Sequence, residues 1–281
     1  MSQYAIPTSW DALTALRDED IPLFWAALLV ARDEYPDLDV SAYEARCDAL
    51  ERELRAGLAE HAEPQEKVAA INRFLFEEKG FAGNQQDYYD PRNSYLNDVL
   101  DRRLGIPLSL GLIQLELARR LGVPLEGVSF PGHFLVRLPV EGGLLVLDPY
   151  HRGRSVDADE LRERAKPHLG GVELDDSDLL RLLAPASHRG ILMRMLRNLK
   201  ALYAEQEAWD KSLRCADRLV SLEPDAPEEI RDRGLLYLKL EHGRAAGEDL
   251  ARYLELKPGA DDAEAVRIAL VEAHGQQQRV H

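Results

Sequence analysis

Two stretches near the C-terminus repeat each other: Leu222-Glu-Pro224-Asp-Ala-Pro and Leu256-Lys-Pro258-Gly-Ala-Asp stand 34 residues apart. That period is the one for tetratricopeptide helix pairs, so it commits this third of the chain to stacked antiparallel helices. Counting back from Pro224 puts Leu199 and Tyr203 in the large positions of a first repeat. Lys200 and Ser212 stand there where the pattern has a Gly and a small residue. From Pro258, Gly234, Tyr237, Ala246 and Leu250 fill the Gly, aromatic, small and large positions of a second repeat. Residues 261–273 then predict a capping helix. Two repeats bury little by themselves, so the tail is expected to lean on the central domain.

Residues 1–80 read as helical. Ser9 predicts a cap for a short helix from Trp10, and Asp20 a cap for the next, with Pro22 in its first turn. That second helix carries Leu23, Phe24, Trp25, Leu28, Leu29 and Val30, apolar on most sides and therefore buried. Residues 41–60 form an amphipathic pattern through Tyr43, Cys47, Leu50, Leu54 and Leu58. A further helix opens at Pro64 and stops at Gly80. Trp10 and Trp25 are read as core or interface aromatics.

The middle of the chain changes character. A polar and aromatic loop, 80–91, leads to Asn93, a preferred N-cap, and a helix over 94–104 ended by Gly105. Ser109 is the expected cap of a mostly apolar helix over 110–121. Strands follow at 125–130, 134–138 and 144–147. Pro139 has no N–H to give a ladder, so residues 139–142 are assigned to the loop and Leu138 is paired with Gly143. This register sets His133 directly opposite Asp148, within about 5.5 Å. Residues 151–176 read as a charged connector with short helices at most.

A hydroxyl at a helix start, a His beside one strand and an Asp on the next have the layout of a nucleophile, base and orienter. Each residue also has a plainer explanation. Ser109 is a favoured cap, and a hydroxyl bonded to its own helix is no free nucleophile. His133 after Pro-Gly is a satisfied structural residue, and Asp148-Pro149 is turn chemistry. Asn93, Ser94, Asn97 and Tyr150 are candidates to line the same cleft, with capping a competing reason for Asn93. Asp90 before Pro91 reads as a turn, and His151 has no partner that the sequence identifies. There is no glycine-rich phosphate loop and no His, Cys and carboxylate group at metal spacing, so neither a metal nor another cofactor is expected.

The combination Asp90-Pro…Asn-Ser-Tyr-Leu-Asn…Val-Leu…Gly-Ile-Pro-Leu-Ser-Leu, then Pro-Gly-His-Phe and Leu-Asp-Pro, resembles the bacterial SirB-like family over roughly residues 20 to 272. The resemblance implies a transglutaminase-like, papain-like core joined to C-terminal tetratricopeptide repeats. The wider superfamily uses a Cys-His-Asp triad on peptide amides. Here Ser109 stands at the helix start where active relatives carry Cys. Counting back from Arg119-Arg-Leu-Gly122-Val-Pro, the Cys spacing falls nearer Pro107 than Ser109. Cys47 and Cys215 lie in no matching motif.

The expected architecture is α+β and mostly helical, with a small antiparallel sheet. A helical region spans 1–80, the transglutaminase-like core 81–186, and the repeats with their cap 187–281. The favoured function is binding of a peptide or protein segment in a degenerate cleft. The runner-up is a serine-dependent amidase or acyl transferase using Ser109, His133 and Asp148, and a structural assembly adaptor is third. The 281 residues carry a net charge of −15, which repels nucleic acid and anionic membrane. Two cysteines without pairing or metal spacing fit a reducing compartment. The opening Met-Ser-Gln-Tyr-Ala-Ile-Pro has neither the basic start nor the apolar run of a leader, so a cytoplasmic location is expected.

Overall fold

In the computed structural model, which describes residues 7 and 9–279, the chain divides into two units. Leu16–Leu192 make up the first, and the second joins the residues of the first helix, ending at Ala15, to those from Met193 onward. Most of the opening stretch on which the leader argument rests lies outside the described residues.

Helix α1 (Trp10–Thr14) is capped by Ser9, whose Oγ accepts from the Ala12 N–H at 3.3 Å. It belongs to the second unit and packs on α10 (Trp209–Leu222), burying Trp10 and Leu13. In the first unit, α2 (Leu23–Arg32) buries Phe24 and every residue from Ala26 to Ala31, as its apolar circumference requires. Asp20 does not cap it: Pro22 holds the N-cap position and the Asp20 carboxylate takes the Arg17 Nε–H at 2.7 Å instead. Helices α3 (Val40–Ala56) and α4 (Pro64–Asn72) follow, and α4 runs on into a wider π turn over Arg73–Glu78.

Strand β1 (Ala82–Gly83) pairs in parallel with β2 (Leu104–Gly105), on either side of α5 (Leu96–Arg102). Arg103 ends α5 in the left-handed conformation at φ 61°, so Gly105 is free to pair rather than to stop the helix. Asn93 is not the cap of α5. It closes a 3-10 turn over Pro91–Asn93, and its side chain is turned onto the preceding loop.

The centre of this unit is α6 (Pro107–Arg120), which packs against α2, α3, α4, α5 and the sheet strands. Pro107 takes the first helical position, where its fixed φ fits and its missing N–H costs nothing. The helix therefore starts two residues before Ser109, which sits inside its first turn. Leu108, Leu110, Leu112, Ile113 and Leu117 are all buried, each contributing about 2 kcal/mol relative to exposure.

The sheet β3-β4-β5-β6 is antiparallel, with β3 (Glu126–Val128), β4 (Leu135–Val140), β5 (Gly143–Asp148) and β6 (Arg154–Ser155). The β4–β5 register differs by two residues from the expected one: Leu138 faces Leu145, and Leu135 rather than His133 faces Asp148. The loop is only Glu141–Gly142, with Gly142 at φ 77°, and Pro139 lies in the ladder opposite Leu144. Pro139 is tolerated because β3 pairs no further along β4 than Arg137, so its missing N–H leaves no β3 bond unmade. A slip of two keeps each side chain on its face, which leaves His133 diagonal to Asp148.

The stretch expected to be a connector holds β6 and the short helix α7 (Ala158–Ala165), and α8 (Asp176–Leu182) begins where it ends. From α9 (His188–Glu205) the tail runs as α9 with α10, then α11 (Pro227–Lys239) with α12 (Gly243–Leu256), closed by α13 (Ala263–Arg279). The helix pairs and the cap stand where the 34-residue offset placed them. Leu199, Ala246 and Leu250 are fully buried and Tyr203 nearly so.

Candidate functional site

Asp148 ends β5 and caps the 3-10 turn Pro149–His151, with its Oδ1 accepting from the backbone N–H groups of Tyr150 and His151 at 3.0 and 3.3 Å. Its side chain is fully buried. His133 follows the turn after Phe130, its N–H donating to the Phe130 carbonyl at 3.1 Å. The His133 Nε2 lies 2.9 Å from Asp148 Oδ1. Two further donors converge on Oδ2: His151 Nδ1 at 2.7 Å and Arg164 Nη1 at 2.7 Å. Burial pushes the Asp148 carboxyl up, but the hydrogen bond and charge of His133 and the hydrogen bonds of Arg164 and His151 outweigh it and hold it well below the usual carboxylate range. An ionised carboxylate can only accept, so both imidazole nitrogens facing it carry their protons.

A glycine lets the hairpin come close to α6. A Cβ at Gly111 would meet the Phe134 ring at 2.7 Å, so only Gly leaves room for the residue that follows His133. A second close approach seats Tyr150, whose ring would lie 2.4 Å from a Cβ on Gly83. The Tyr150 hydroxyl donates to the Asn84 carbonyl at 3.0 Å, and burial followed by the Asp148 charge raises its pKa. Its ring stands edge-on to those of His133, His151 and Tyr88, with centroids 6.3, 5.3 and 5.9 Å away.

The remaining expected residues support this corner from below. The fully buried Asn93 donates to the carbonyls of Asp87 and Tyr88 at 2.7 and 3.2 Å and accepts from Asn84 Nδ2 at 3.0 Å. It fixes the loop that carries Tyr88 and Tyr89. Ser109 is fully buried; its Oγ donates to the Asn93 carbonyl at 2.6 Å and accepts the Ile106 N–H at 3.1 Å. It ties the start of α6 to the loop instead of facing His133. Ser94 and Asn97 are buried, and the Asn97 Oδ1 has no hydrogen-bond partner among the described residues. Cys47 offers no substitute nucleophile, because burial pushes its thiol up to about 12.

Sequence reasoning missed Arg164 and the partner of His151, and it did not single out Asn84 and Tyr88 within the polar loop 80–91. The signal for His151 was present in Asp148-Pro-Tyr-His151, because Pro in the first turn after a capping Asp brings residue i+3 back over the carboxylate. The His and carboxylate group that no linear spacing announced is thus assembled by the fold.

Two family profiles match the chain: the transglutaminase-like superfamily over residues 41–197 and the tetratricopeptide repeat over residues 199–271. A UPF0162 protein of Xylella fastidiosa is 53% identical over 272 residues, 97% of each chain. Protein SirB1 of Salmonella typhimurium is 31% identical over 238 residues, 84% of this chain and 86% of its own. F-box only protein 21 of Mus musculus is 33% identical over 183 residues, 61% of this chain but 28% of that longer protein. Among the described residues no helix is long and apolar enough to cross a membrane.

Proposed function

The chain belongs to the transglutaminase-like superfamily and to the UPF0162 protein family, and from that premise we propose that it binds a peptide or protein segment in a cleft that no longer cleaves its ligand. The observation that carries this reading is the Ser109 hydroxyl. It is fully buried, spends its proton on the Asn93 carbonyl, and takes the Ile106 N–H in return. A nucleophile must be free to lose its proton to a base, and His133 is not among its partners. The base and orienter persist without it: His133 is held by ionised Asp148, and the rings of Tyr150, Tyr88 and the exposed Tyr89 follow beside it, each edge-on to the next. Tyrosines supply large, stiff contact area with a polar tip, which suits a peptide ligand. The tetratricopeptide tail fits a protein-interaction role by its family.

The test combines a peptide-array screen on wild type and His133→Ala with labelling by serine-directed fluorophosphonates. The expected result is peptide binding that drops at least tenfold in His133→Ala, with no labelling. Labelling lost in Ser109→Ala, together with amide or ester turnover lost in His133→Ala, overturns the reading in favour of the amidase. Peptide binding indifferent to His133→Ala and lost with tail substitutions favours the adaptor.

A further inference from the structure

We propose that His133, Asp148 and His151 form a binding site for a borderline divalent transition-metal ion of the zinc class. This goes beyond the peptide-binding reading, and its test uses metal alone, so either proposal can fail without the other. Each of the three residues offers one ligand atom, and these atoms lie within 4.8 Å of one another. They comprise His133 Nε2, an Asp148 carboxylate oxygen and His151 Nδ1. Donor atoms around a tetrahedral zinc ion stand about 3.3 Å apart, given zinc–nitrogen bonds of about 2.0 Å. Binding requires the His151 ring, 44% exposed and in contact with Asp148, His133 and Tyr150, to rotate toward the shared ion.

The donor set selects the ion. Two neutral imidazoles and one carboxylate suit zinc, cobalt, nickel or iron(II), whereas calcium and magnesium take oxygen ligands. Three protein ligands leave positions open, and the side chains of His133 and His151 both reach solvent. The anchoring around the carboxylate is already in place. Asp148 keeps the backbone N–H groups of Tyr150 and His151 on Oδ1 and the Arg164 guanidinium on Oδ2 when both imidazoles turn to the ion. Arg164 is the cation facing the site, and its charge is shared with Glu160, whose Oε1 takes its Nε and Nη2 at 3.0 and 2.6 Å. Each ring gives up its hydrogen bond to Asp148, the proton on the inner nitrogen moves to the outer ring nitrogen of a neutral ring or to solvent from a cationic one, and the inner nitrogen offers its lone pair to the ion.

The experiment is a cobalt(II) titration of tag-free, metal-stripped protein, followed by zinc competition. The expected result is visible d–d absorption saturating at one ion per chain, with a dissociation constant of about 1 μM or tighter. His133→Ala and His151→Ala each weaken binding at least tenfold, while the exposed His61→Ala binds as wild type. A ligand swap guards against misfolding: His151→Cys keeps cobalt and adds a thiolate-to-metal band in the near-ultraviolet, which appears only when residue 151 ligates. No saturable absorption in wild type overturns the site, as does equal binding in the double His133→Ala, His151→Ala variant. Absence of the thiolate band in cobalt-loaded His151→Cys removes His151 from the ligand set and overturns the three-residue site.

Discussion

The two units handle buried acid in opposite ways. In the first, one fully buried carboxylate gathers its donors onto itself: Asp148 takes two imidazoles, a guanidinium and two backbone N–H groups. In the tail the acids are spread out as links between helices. Glu229 of α11 accepts from Arg197 and Lys200 of α9 at 2.6 and 2.8 Å. Lys200 also reaches Asp232 at 2.7 Å, and Arg233 of α11 makes a two-pronged bond to Asp249 of α12 at 2.7 and 2.8 Å. Beyond the helices, Arg231 holds Asp262 at 2.6 Å. A focused carboxylate makes a place where an approaching group meets several oriented donors at once. Distributed pairs make a scaffold whose register is fixed at many points and whose chemistry is spent internally.

The contrast breaks most sharply at Asp148. Asp148→Asn is expected to cost about 4 kcal/mol in urea unfolding, because the amide replaces one acceptor oxygen and removes the charge on which two imidazoles and Arg164 converge. A loss under about 1 kcal/mol would mean that the carboxylate is not the organising centre. In the tail, Arg233→Met removes one link of several and is expected to cost about 2 kcal/mol. A double-mutant cycle with Asp249→Asn should find most of that coupling in the one pair. Asp90 is an intermediate case, nearly buried and held by Arg92 and by Arg102 at 3.3 Å. Burial raises its carboxyl, but the Arg92 bonds and the Arg102 charge outweigh it, so its folded value lies below the ordinary one. Such a group contributes fully above its unfolded value of about 3.9, and the contribution is lost as pH falls through the folded value. Asp90→Asn should therefore cost about 1 kcal/mol at pH 7, and its gap from wild type should close below about pH 4 in matched urea titrations. A gap that widens in acid would reverse the sign of the argument.

These same differences decide what the linear chain discloses. The tail's helices follow from local period and from two Pro-containing turns at a fixed offset, so their pairing is readable without any long-range contact. The sheet was readable as strands, but its register hung on Pro139, and the rule excluding Pro from a ladder fails where the neighbouring strand has already ended. His133 and Asp148 were legible as neighbours because a two-residue slip preserves the face. Ser109 lies inside the helix rather than at its cap because Pro107 takes the first helical position. The rest of the cluster was hidden for a different reason. Arg164 and Asn84 come from separate elements, and no local pattern records that a fold will bring them to one carboxylate or to one tyrosine hydroxyl.

Helix α1 packs with the tail although it is made long before it. Leu13 is fully buried, and Arg218 covers the Trp10 ring at 4.8 Å from about 200 residues further along the chain. On a ribosome adding about 5 to 20 residues per second, α1 waits roughly 10 to 40 s for its partner to be synthesised. During that interval its apolar face is unclaimed, because the helix it packs on has not been made. The second unit is thus finished last by the segment synthesised first, and a fragment beginning at Met193 would carry an uncovered apolar strip on α10 in place of a native surface.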